Sequence, residues 1–163
     1  MIEIDISVEA GEWPSAEWIS QVSSRALCAT VPHLPQALPE GAEVSLVFTN
    51  DDHVQALNRQ WRDQDKPTNV LSFAANEGSG PVTPLLGDVI LAFETVTREA
   101  EAQNKTFEDH LTHLLIHGFL HLLGYDHIDG DEAEKMEMLE TLVLASLGIA
   151  DPYAQITQAT KSA

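Results

Sequence analysis

Residues 117–127 read HGFLHLLGYDH, with histidines at positions 117, 121 and 127. On an α-helix His117 and His121 lie ~40° apart in rotation and ~6 Å apart along the axis, so they share one face. Gly124 supplies a residue able to take the left-handed conformation that ends a helix, and Tyr125, Asp126 and His127 follow as a turn. The third imidazole can then swing back beneath the first two. Three nitrogens converging on one ion at ~2.0–2.1 Å leave a fourth tetrahedral position for water or substrate, the pattern of a catalytic zinc site rather than a structural one. The single cysteine, Cys28, is far away in sequence.

A histidine pair at helical spacing often does no more than decorate a solvated face. Here five of the seven histidines fall between His110 and His127, amid Leu114, Leu115, Ile116, Phe119, Leu120, Leu122 and Leu123. A helix that apolar is largely buried, and imidazoles beside a core need partners. His110 and His113 share the stripe and read as polar neighbours of the ligands rather than ligands themselves. Zinc proteases of the HExxH type carry Glu directly after the first histidine, and that place is Gly118 here, which disfavours peptide hydrolysis by that route. What remains is a metal that acidifies a water or polarises a phosphoryl oxygen, with any proton acceptor supplied elsewhere. Asp126 reads as a residue that orients a ligand histidine.

The run His113-Leu-Leu-Ile-His117-Gly-Phe-Leu-His121-Leu-Leu-Gly-Tyr-Asp-His127 closely resembles the signature of the bacterial YbeY family, metal-dependent endoribonucleases of ribosomal RNA maturation. An upstream block agrees: Leu57-Asn58, Trp61-Arg62, Lys66-Pro67-Thr68-Asn69-Val70-Leu71-Ser72-Phe73 and Gly87-Asp88, in the family's order. The likeness spans most of residues 44–147. It implies that His117, His121 and His127 hold one Zn²⁺, or another divalent ion, and that Arg62 is the basic catalytic residue, with Arg59 and Lys66 beside it as substrate-binding residues. It further implies a zinc-dependent, single-strand-specific endoribonuclease acting on ribosomal RNA at the small-subunit 3′ end and in ribosome quality control. Ribosomal proteins or ribosome-associated factors would be further partners. Asn69 stands where relatives often carry Asp, and residues 76–86 look variable, so neither is given a role.

A chain of 163 residues with 44% hydrophobic content suits one globular domain that buries ~70% of its unfolded surface. That domain is expected over residues 1–150, with a polar, flexible tail over 151–163. The opening MIEIDISVEAGEW has neither a basic nor an apolar leader segment, no run approaches ~18 apolar residues, and one cysteine excludes an internal disulfide framework. The expectation is a cytoplasmic protein with no membrane partner.

Charge runs against an RNA-binding role. Twenty-six acidic and eight basic residues give a formal net charge of −18, whereas affinity gained by counterion release favours a basic protein. Yet Arg59, Arg62 and Lys66 lie within eight positions of one another, and a bound divalent cation adds local positive charge.

The layout predicts an α+β fold: a small mixed four-stranded sheet packed against about five helices, one of them a buried metal-binding helix. Ile2, Ile4, Ile6 and Val8 alternate as a half-buried strand, and residues 15–29 suit a helix with Trp18, Val22 and Leu27 inward. Strands follow at 44–49, 70–74 and 88–93, with a loop over 76–87. Asp51 is expected to cap a helix reaching about Trp61, residues 94–103 continue as helix, and Thr106 with Asp109 forms a capping box that opens the metal helix to about Leu123. Asp129 or Asp131 then caps a last helix to about Leu147, with Met136, Leu139, Val143 and Leu147 inward and Glu132, Glu134, Glu137 and Glu140 on a solvated face. One wall of the cleft is expected from the strand at 70–73 or that at 88–93. Two rivals to the nuclease are a zinc peptidase or amidase, and a non-catalytic, zinc-stapled assembly factor whose acidic surface binds ribosomal proteins.

Overall fold

In the computed structural model, residues 2–75, 84–126 and 130–153 are described. Strand β1 (Glu3–Val8) leads through helix α1 (Ala16–Thr30) and a short 3₁₀ turn to β2 (Glu43–Thr49), then α2 (Asp51–Arg62), β3 (Val70–Ala74), β4 (Leu85–Ala92), α3 (Phe93–Ala102), α4 (Phe107–Leu122) and α5 (Gly130–Ser146). The four strands form one mixed sheet in the order β1-β2-β4-β3. The β1–β2 and β2–β4 pairs are parallel, and β3 runs antiparallel to β4 on the outer edge. This is the expected α+β architecture, five α-helices around a four-stranded sheet among the described residues.

Alternation along the strands assigns the two faces. Val44, Leu46, Phe48, Val89 and Leu91 enter the main core with Ile19, Val22, Ala26 and Leu27 of α1 and the apolar stripe of α4. Val54 of α2 packs on the opposite face against Leu71, Ile90 and Ala92. Helices therefore cover both sides, and α4, whose Leu111, Leu115, Ile116, Phe119 and Leu120 are fully buried, is the central helix of the larger layer.

Several expectations change in detail. Strand β4 starts at Leu85, inside the segment read as loop, and passes through Gly87 at φ +139°. A Cβ at Gly87 would lie 2.3 Å from the Phe73 carbonyl oxygen, so only glycine permits that approach of β3. Asn50, not Asp51, caps α2, its Oδ1 accepting from His53 N–H. Asp51 turns to the neighbouring helix: its Oδ1 accepts from the Thr95 N–H and hydroxyl at the start of α3, and its Oδ2 from Arg98. Glu94 of α3 returns the contact by accepting from Asp51 N–H. The two helix starts thus cap each other across a chain separation that local rules do not register. Thr106 caps α4 as expected, accepting from Asp109 N–H. Asp129, one candidate cap for α5, lies outside the described residues. No helix among the described residues is long and apolar enough to cross a membrane.

Candidate metal centre and active site

On α4, His117 and His121 stand one turn apart with their Nε2 atoms 3.1 Å from each other. Each ring is oriented from its other nitrogen. His121 Nδ1–H donates to the Tyr125 carbonyl at 2.9 Å, in the turn that follows the helix, where Gly124 takes φ +98°. His117 Nδ1–H donates to Glu140 Oε1 of α5 at 2.7 Å. A carbonyl and a carboxylate only accept, so both protons are assigned to Nδ1 and both Nε2 lone pairs are directed to one region. Two facing acceptors repel unless a cation or proton lies between them. Nitrogens at ~2.05 Å from one tetrahedral ion would be ~3.3 Å apart, close to the spacing here. The residues therefore fit a divalent metal. His127, the expected third ligand, lies outside the described residues, and Asp126 is half-buried in the turn beside His121.

Glu140 corrects the reading of α5 as having an entirely solvated acidic face. It is fully buried, and it accepts from His117, from His113 Nε2 at 2.7 Å and from the Tyr153 hydroxyl in a short contact. Burial pushes its pKa up, but the hydrogen bonds from His113 and His117 and the charge on those rings outweigh it and hold the carboxyl at about 2. The local pattern E-x-x-E-x-x-E around it gave no signal, because what distinguishes Glu140 is three donors from elsewhere. The polar tail expected from residue 151 also begins with docked residues: Pro152 is buried and Tyr153 is half-buried, while residues 154–163 lie outside the described set.

His113 thus shares the Glu140 carboxylate with His117. His110 belongs to a separate network: its Nε2 donates to Glu99 Oε1 at 2.8 Å, and Asn69 Nδ2 donates to the same oxygen at 2.9 Å. The Nδ1 atoms of His110 and His113 are buried without a hydrogen-bond partner, so both rings are half satisfied.

Strand β3 lies along the histidine turn of α4, with β4 beside it. Ser72 Oγ donates to the Gly118 carbonyl at 3.1 Å, and a Cβ on Gly118 would lie 2.7 Å from Val89 Cγ1. Helix and sheet approach so closely there that the Glu of an HExxH protease has no room at this position. Arg62, at the end of α2 on the other face of the sheet, meets the edge of β3, which pairs with no second strand among the described residues. Its Nη2 donates to the Ser72 carbonyl at 2.6 Å, and its guanidinium lies 5.0 Å from the Phe73 ring centroid. Ser72 therefore joins Arg62 to the helix turn that carries His117. Arg62 forms no salt bridge among the described residues, whereas Arg59 pairs with Asp65 at 3.6 Å. Lys66 is exposed in the loop after α2, its carbonyl accepting from Asn58.

Trp61 went unassigned in the sequence. It continues the stripe of Val54 and Leu57 along α2, but burial falls along that stripe, and Trp61 is 63% exposed next to Arg62. A tryptophan set among Arg59, Arg62 and Lys66 was the sequence signal that could have marked it.

The family model described as Endoribonuclease YbeY matches residues 9–148 of this chain. An Endoribonuclease YbeY of Sinorhizobium fredii (strain NBRC 101917 / NGR234) is 54% identical over 160 residues, covering 93% of this chain and 92% of its own length. That of Agrobacterium fabrum (strain C58 / ATCC 33970) is 53% identical over 160 residues, with 94% and 95% covered. Among solved structures, the solution structure of TM1509 from Thermotoga maritima superposes with a TM-score of 0.54 at 26% identity, covering 88% of this chain and 91% of that one. The match extends well beyond the histidine motif to nearly the whole fold, and the chain belongs to the YbeY family of endoribonucleases.

Proposed function

We propose that the protein is a zinc-dependent, single-strand-specific endoribonuclease that acts on ribosomal RNA, in maturation of the small-subunit 3′ end and in ribosome quality control. The observation that carries the metal dependence is the approach of His117 Nε2 and His121 Nε2 to 3.1 Å, with both Nδ1 protons committed to acceptors. His117 and His121 would hold the ion, with His127 as the expected third ligand. When bound, a divalent ion supplies Lewis acidity toward a phosphoryl oxygen and acidifies water.

The chain's own residues bind and orient the substrate. Arg62 keeps one N–H on the Ser72 carbonyl and lies against Phe73, so its plane is held while its remaining donors face solvent. A phosphodiester placed against Arg62 beside β3 receives those donors, and they stabilise the charge that gathers on its non-bridging oxygens. Lys66 and Arg59 add positive charge along the approaching backbone, Arg59 less because Asp65 partly offsets it. Trp61 offers a ring on which an unpaired base stacks, which accounts for a single-stranded substrate.

The test compares zinc-loaded wild type with Arg62→Ala on an RNA that carries a single-stranded segment, both holding equal metal by elemental analysis. Wild type is expected to cut and the variant to lose at least ~100-fold in rate. Equal cutting by both, abolished in a His121→Ala control, removes Arg62 from the site. The net charge of −18 favours a second reading, an assembly factor that binds basic ribosomal proteins with the metal as a staple. Absence of cutting by metal-loaded wild type, with binding to basic partners, selects it.

A further inference from the structure

The two histidines of the pair are oriented by different kinds of partner. His121 is held locally, by the carbonyl of Tyr125 four residues on. His117 is held by Glu140, 23 residues away on α5, and Glu140 is itself held by Tyr153 beyond the end of that helix. We propose that the segment Asp151–Tyr153 is a latch on the metal centre, with Tyr153 acting through Glu140 as a positioning residue for His117. This inference rests on the reading of His117 and His121 as metal ligands.

The division of labour on the carboxylate supports it. Glu140 Oε1 takes the His117 proton, while Oε2 takes both His113 Nε2–H and the Tyr153 hydroxyl. Two donors from different elements on one oxygen fix the rotation of the carboxylate, and that rotation aims Oε1 at His117 Nδ1. With His113 alone on Oε2 the carboxylate keeps its two imidazole donors but is held less firmly about its Cγ–Cδ bond. Tyr153 is in turn held in place. Its ring meets His113 edge-on, with centroids 5.9 Å apart, and Asp151 Oδ1 accepts from the Tyr153 N–H at 2.9 Å and from Thr141 Oγ1 of α5. The carboxylate is fully buried, so water cannot replace a missing donor without entering the core. Removing the Tyr153 hydroxyl therefore loosens the ring and tautomer of His117 and leaves His121 unchanged.

Tyr153→Phe tests this, since it keeps the ring and its packing. Zinc affinity is measured by competition with a chromophoric chelator, and the tautomers of His117 and His121 are read from imidazole ¹⁵N shifts in the metal-free protein. The variant is expected to bind zinc ~10–100-fold more weakly, as outer partners of metal ligands do. His117 Nδ1, fully protonated in wild type, should lose part of its proton to Nε2, while His121 Nδ1 keeps its own. Zinc affinity within twofold of wild type and an unchanged His117 tautomer would overturn the latch. Should wild type itself fail to bind zinc, the metal reading falls, and the tautomer of His117 in the two metal-free proteins still decides the latch.

Discussion

Replacing Gly118 by alanine sets two effects of opposite sign against each other on α4. A glycine-to-alanine change inside a helix is worth ~1 kcal/mol in favour of the helix, because glycine loses more backbone entropy. Against it, the new Cβ would lie 2.7 Å from Val89 Cγ1, 3.1 Å from Ser72 Oγ and 3.3 Å from Val70 Cγ2. Carbon atoms rest at ~3.5–4.0 Å, so the closest contact is short by about 1 Å. Val89 is fully buried in β4 and is β-branched, with few rotamers to move to, so α4 must lift from the sheet. Overpacking of this kind costs ~1–3 kcal/mol, and with the clash directed at a stiff side chain the upper half applies. The net expectation is a loss of ~1–2 kcal/mol, or ~2–8 °C in Tm for a domain of this size. Urea unfolding and calorimetry on the metal-free protein measure it. Lifting α4 also stretches the Ser72–Gly118 bond that links the histidine turn to Arg62, so RNA cleavage should fall further than zinc affinity does. A Gly118→Ala protein as stable as wild type, or more so, would refute the claim that close helix–sheet approach is the reason for glycine here.

Removing zinc with a chelator is expected to lower Tm by ~5–10 °C relative to protein at 100-fold excess of metal over Kd, since binding then adds ~2.7 kcal/mol. His121→Ala should abolish that difference while leaving the metal-free transition in place. Glu99 gives a pH prediction: burial raises its pKa, but hydrogen bonds from His110 and Asn69 and the charges of His110 and Arg98 outweigh this, leaving it below the ordinary value of 4.5. A lowered carboxylate pKa contributes stability that is present above the unfolded value and lost as pH falls through the folded one. Glu99→Gln should therefore cost about 1 kcal/mol near neutrality, the gap narrowing below pH 4.5; a constant gap on titration by urea unfolding would contradict it. Trp61→Ala should weaken binding of single-stranded RNA by ~1–3 kcal/mol without changing the unfolding midpoint. Equal affinity of variant and wild type in fluorescence anisotropy would dismiss the stacking platform.

The elements whose signals are local were legible in the chain itself. Alternating Ile4 and Ile6 marked β1, Thr106 and Asp109 marked the start of α4, and the four-residue spacing of His117 and His121 placed both on one face of a helix whose apolar neighbours required burial. The basic trio was visible for the same reason, as three residues within eight positions. Each of these depends on interactions within about one turn or one strand, and the order of residues alone prescribes those.

Other features arise only when distant segments meet. Asp51 has the composition of a cap for its own helix, yet it caps α3, because β2 and β4 pair side by side and bring the two helix starts together. Glu140 has the spacing of a surface residue, yet the packing of α5 on α4 buries it and three donors keep it ionised. The position of β3 followed from the strand order β1-β2-β4-β3, which puts it at the end of the sheet among the described residues, where Arg62 reaches the Ser72 carbonyl. Sequence determined which side chains could bind a metal and where the helices begin. Tertiary structure decided which partners orient them, since desolvation and long-range hydrogen bonds exist only after the chain has closed around them.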